Sequence, residues 1–102
     1  MKDSIRIKLQ HLVERLDEVN ALISEPDVIN DQNKFRNLTK EHAQLSPVVE
    51  AFNAFETAEA DLQEAKEMLA SGDPDLKEMA QEELPLIEER LETLEVELQK
   101  ML

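Results

Sequence analysis

The chain has 102 residues, 24 acidic side chains against 11 basic ones, a net charge of −13, one Gly, four Pro and no Cys. That length holds one domain, and with three Phe as its only aromatic residues the core must come from Leu, Ile, Val, Ala and Met, which is a helical palette. One glycine cannot supply the turns of a sandwich or barrel, the missing cysteines exclude disulfides and thiol chemistry, and no run is apolar and long enough for a membrane span or signal peptide.

The first predicted helix follows Ile5, Leu9, Leu12, Leu16, Val19 and Ile23, spaced alternately by 4 and 3, with Ser4 as the expected N-cap. It should stop near Ser24, because Pro26 disfavours helical geometry at Glu25, while Asp27 and Asn30 favour a turn. The second helix is expected from about Asn30 or Asp31. It carries Phe35, Leu38, His42, Leu45, Val49 and Phe52, then Phe55, Ala58, Leu62, Ala65 and Leu69, with a phase slip at 52, 55 and 58. Pro47 falls inside this run. The stripe keeps its phase across it, which favours one kinked helix; the alternative makes Ser46 an N-cap and Pro47 the first residue of a separate helix.

Ser71-Gly72-Asp73-Pro74 is the strongest punctuation, with Gly at a helix C-terminus, then Asp as N-cap and Pro at the first helical position. The third helix carries Leu76, Ala80, Leu84, Ile87, Leu91, Leu94, Leu98 and Met101, and Pro85 within it should kink it or split off its first turns. At 1.5 Å per residue the three helices would run about 30, 60 and 43 Å. Short connections make neighbours antiparallel. The expected fold is therefore all-α: an elongated antiparallel three-helix, coiled-coil-like bundle, with helix one along the first half of the long helix and helix three along its second half. Apolar positions that continue to Met101 and Leu102 suggest a single helical domain, 1–102, cut from a longer protein.

The charge is divided unevenly. Residues 1–46 hold 7 basic and 8 acidic side chains, whereas residues 47–102 hold 4 and 16. The acidic half repels phosphate backbones and anionic lipids, so its natural neighbours are basic proteins; the absence of Cys makes the cytosol the default compartment. Glu78, Glu82, Glu83, Glu88, Glu89, Glu92, Glu95 and Glu97 alternate with the apolar stripe and read as a solvated face. Candidate chemistry is sparse. His11 and His42 lack a Glu three residues before them, those positions being Lys8 and Thr39, so the di-iron pattern fails; Glu14, one turn after His11, is either a surface contact or one ligand pair with it, the surface reading being preferred. No metal or cofactor is expected. Lys34, Arg36 and Lys40, among Asn33, Asn37 and Thr39, form a small basic patch that would suit RNA phosphates. Asp31 and Glu41 dilute it and no aromatic side chain stands ready to stack bases, so balanced surface charge is the preferred reading. Phe35, Phe52 and Phe55 are assigned to the core. With no phosphate loop, zinc motif or nucleophile elbow, the chain is not expected to be an enzyme.

MKDSIRIKL, the stretch from Leu12 to Phe52, densest from Ser24 to Val49 where SEPDVINDQNKF is distinctive, and the acidic run from Glu64 to Leu102 closely resemble the N-terminal domain of the bacterial class I peptide chain release factor that reads UAA and UAG. The resemblance implies an accessory helical arm in translation termination. Its implied partners are proteins at the stalk base of the large ribosomal subunit and the recycling GTPase release factor. The family's Gly-Gly-Gln loop is missing, since Gly72 is the only glycine, and no Pro-x-Thr decoding tripeptide appears either. No catalytic, cofactor-binding or metal residue is therefore transferred to any position here. A generic acidic coiled-coil scaffold, binding protein partners or itself, is the competing expectation.

Overall fold

A computed structural model describes all residues from Met1 to Leu102 as helices and short connections. The elements are α1 (Asp3–Ile23), α2 (Pro26–Ile29), α3 (Gln32–Ala70) and α4 (Pro74–Met101), with no strand. The all-α expectation holds, but there are four helices in place of three. α2 is the addition. Pro26, expected only to end α1, sits at the first position of a helical turn whose N-cap is Glu25. The Glu25 carbonyl accepts from the backbone N–H groups of Val28 and Ile29, both at 3.0 Å. Pro suits that position because its absent N–H would have no intrahelical partner there.

Other boundaries follow the cap chemistry except at Ser4 and Gly72. The N-cap of α1 is Lys2, without a side-chain bond, and Ser4 lies inside the helix instead of capping it. Asp31 starts α3, its Oδ1 accepting from the N–H groups of Asn33 and Lys34 at 3.1 and 3.2 Å. At α4, Asp73 Oδ1 accepts from the Asp75 N–H at 2.9 Å, and Pro74 follows at the first helical position. Gly72 is not left-handed, and a Cβ there would meet nothing within 4 Å, so the connection does not depend on glycine. The bend is set by Ser71, whose Oγ accepts from the Asp73 N–H, together with the Asp73 cap.

Pro47 lies within the unbroken α3 and Pro85 within the unbroken α4. The separate helix starting at Pro47 is thus excluded, and no first turns are split off at Pro85. The chain divides into two compact units, Met1–Glu50 and Ala51–Leu102. In the first, α1, α2 and the first half of α3 bury Leu9, Val19, Val28, Leu45, Val48 and Val49. In the second, Ala65, Ala80 and Ile87 form a cluster against which Leu62, Met68, Leu69, Leu84 and Leu91 pack, closing α4 onto the second half of α3. Phe52, Phe55, Ala58 and Leu98 are buried as well. The slip at 52, 55 and 58 marks a broadening of the buried face, from Leu45 to Ala58, which also takes in Val48 and Ala51. One stripe runs 38, 42, 45, 49, 52 and a second runs 51, 55, 58, 62, 65; they overlap where the slip occurs.

Candidate functional surfaces

The chemistry-bearing residues are scattered, not gathered into a centre. His11 is exposed and His42 half-buried, with its Nδ1 3.4 Å from Ser46 Oγ. No three His, Asp or Glu side chains are grouped to hold a metal ion. Seven of the eight glutamates in the α4 run are exposed, Glu95 being half-buried. They form the solvated face that the alternation implies.

Two grooves interrupt this surface. In the second unit, α3 contributes Asp61, Glu64, Ala65 and Met68, and α4 contributes Met79, Glu83, Leu86, Ile87 and Arg90, to an open groove of about 550 Å³. Arg90 Nη1 reaches Asp61 Oδ2 at 3.4 Å across it, consistent with antiparallel helices. Met79 is 50% and Leu86 63% exposed, so the groove combines unspent apolar area with the carboxylates Glu64 and Glu83. That combination suits a basic partner with an apolar anchor, and methionine adapts readily to such anchors. The sequence pattern missed it: Met79 and Leu86 are each one residue out of phase with the core positions Ala80 and Ile87.

In the first unit, Ile29 of α2 and Gln32, Phe35, Arg36, Thr39, Lys40 and Ala43 of α3 line a wider groove of about 720 Å³. Phe35, assigned to the core from its periodicity, is 40% exposed here. The helical row 32, 35, 36, 39, 40, 43 brings Arg36 and Lys40 together with Phe35, while Lys34 is not among the lining residues. Of the two acidic neighbours, only Glu41 is paired with a cation. Asp31 caps α3. Glu41 takes Arg15 Nε at 2.6 Å and Nη2 at 2.7 Å, a bidentate pair that ties α1 to α3. Its hydrogen bonds from Arg15 hold the Glu41 carboxyl below the usual carboxylate range, against the opposing effect of burial, and Arg15 is raised in return.

No helix is long and apolar enough to cross a membrane. Residues 12–102 match the PCRF domain, the N-terminal, non-catalytic region of class I peptide chain release factors. That span begins in the middle of α1 and takes in both grooves. The chain belongs to the PCRF domain family and so to the machinery of translation termination.

Proposed function

We propose that this chain is the accessory N-terminal domain of the UAA- and UAG-reading release factor, working in the cytoplasm as a helical arm for ribosome engagement. The observation that carries the reading is the family match over residues 12–102, joined to a chain whose single glycine leaves no Gly-Gly-Gln loop. Decoding and hydrolysis then belong to other parts of a longer factor, and this domain contributes contacts. Stalk-base proteins of the large subunit and the recycling GTPase are the partners. The acidic groove between α3 and α4, with Met79 and Leu86 exposed beside Glu64 and Glu83, supports a basic protein neighbour.

The test is removal of residues 1–102 from the parent factor, with release measured on ribosomes programmed with UAA, UAG or UGA. UAA- and UAG-dependent release should persist at saturating factor, while KM for the ribosome rises and GTPase-driven recycling slows. Complete loss of release from a folded remainder would overturn the accessory role. Release at UGA but not UAG by the intact parent would overturn the codon assignment.

A further inference from the structure

We infer that the open groove of the second unit seats a partner helix: a basic amphipathic segment of about three turns, whose apolar stripe covers Met79 and Leu86 and whose Lys and Arg side chains meet Glu64 and Glu83. The inference deepens the proposed engagement of a basic protein and rests on it, by naming the secondary structure and side-chain pattern that the partner must bring. It starts from what the second unit lacks. Residues 51–102 comprise only the second half of α3 and α4. Two packed helices cover each other on one side only, and a third helix laid along their seam completes a bundle. The seam is visible in the spacing. α3 lines the groove at i, i+3, i+4 and i+7 from Asp61 to Met68, and α4 lines it at i, i+4, i+7, i+8 and i+11 from Met79 to Arg90. At 1.5 Å per residue these rows run for about 10 and about 16 Å, the length of about two to three helical turns.

The chemistry of the groove selects its occupant. Buried Ala65 and Ile87 lie in it beside the exposed Met79 and Leu86, and half-buried Met68 adds a second thioether that re-packs around an incoming side chain. Of its three carboxylates only Asp61 has a cation, Arg90; Glu64 and Glu83 make no ion pair or hydrogen bond. Residues 51–102 hold 15 acidic and 4 basic side chains, so the surrounding field has the same sign. That field opposes an acidic peptide, RNA and an anionic lipid surface, and at a net charge of −13 it opposes a second copy of this chain too. A small polyamine would meet the carboxylates but leave Met79 and Leu86 bare. Among basic proteins, an extended strand is the poorer fit. Both walls are helices with their backbone groups already paired, so a strand finds no edge to join, whereas a helix arrives with its own backbone bonds made.

The test uses the 102-residue chain and a fluorescent peptide of about 15 residues, with Leu at i, i+4 and i+7 and Lys or Arg around them, read by anisotropy. Two control peptides keep its charge: one scatters the Leu residues, the other carries a central Pro that breaks the helix. Helicity by circular dichroism confirms that each protein variant folds, which exposed positions permit. The amphipathic peptide should bind and gain helicity, and both controls should bind more weakly. Leu86→Ala and Met79→Ala should each weaken binding by about fivefold to about thirtyfold, the range of an interface anchor. Glu83→Lys should weaken binding at about 0.05 M NaCl and flatten its decline toward about 0.5 M, and Glu88→Lys, the same charge change on the opposite side of α4, should do less of both. Equal binding of the three peptides overturns the helix seat, as does indifference to Leu86→Ala and Met79→Ala or an equal response to the two lysine variants. Self-association of the chain that Leu86→Ala abolishes, followed by sedimentation, overturns the choice of occupant. Cosedimentation with ribosomes, measured on the same proteins, separates this inference from the reading beneath it. A chain that cosediments but does not bind the peptide overturns the helix seat and leaves the release-factor reading intact. A chain that binds the peptide but not ribosomes supports the helix seat and counts against that reading instead.

Discussion

Glu41 receives Nε and Nη2 of Arg15 on its two oxygens, and Arg15 Nη1 also reaches Glu18 at 3.0 Å. A carboxyl held below its ordinary value contributes stability that is fully present above the unfolded value, near 4.5, and is lost as pH falls through the lower folded value. Glu41→Gln should therefore lower the melting temperature at pH 7, and the gap to the unaltered chain should close as pH falls below about 4.5. Thermal melts at pH 7, 5 and 3 check this; a gap of constant size would mean that the pair contributes through packing alone. The same residue shows what a linear reading misses. Counting Glu41 against Lys40 and Arg36 assumes that neighbours in sequence share a field, whereas its partner lies 26 residues away. Phe35 fails similarly. Periodicity identifies the face of α3 that can be buried, but not how far the covering helix extends, and near the start of α3 the cover is incomplete: Leu38 is half-buried and Leu45 is the first buried position. The groove was thus legible in its charges and illegible in its availability.

Helices were the most legible level, because each carries its own period and its own caps. Asp31, Asp73 and Pro74 do in the structure what their side chains suggest in the sequence. Pro26 had two chemically sound roles, ending one helix or opening the next, and only the short α2 shows the second. Pro47 was decided by phase. The buried stripe continues from Leu45 to Val49 and Phe52 without a break, which a new helix packing independently would not require. An interior proline removes the bond from its own nitrogen to the carbonyl four residues back, here Ala43, and costs about 3 kcal/mol in a regular helix. Pro47→Ala should restore that bond and stabilise the chain by about 1–3 kcal/mol, part of the cost having been relaxed in the native helix. Each kcal/mol raises the melting temperature by about 4–8 °C in a chain of this size. If Pro47 instead started a helix, the same substitution would leave stability unchanged or lower it. Urea melts at equal m-value decide the sign.

At the scale of the whole molecule the charge acts differently on folding and on binding. Residues 51–102 hold 15 acidic and 4 basic side chains, and pairs such as Glu88 with Glu92 repel at helical spacing. The second unit is held by its apolar cluster against that repulsion, and the Arg90–Asp61 bridge, with both partners largely in solvent, relieves little of it. Screening should therefore help the fold. The Debye length shrinks from about 30 Å at 0.01 M salt to about 3 Å at 1 M, so melting temperature should rise with NaCl over that range, most steeply at the low end. Contact between the acidic α3–α4 groove and a basic partner must respond in the opposite sense, because salt screens their attraction. An NaCl titration that follows ellipticity on heating therefore measures the field of the acidic face directly. A melting temperature indifferent to salt would show that the acidic face is already neutralised within the fold. That outcome would also remove the basis for reading α4 as a surface waiting for a basic partner, since a face without a field of its own has nothing to steer with.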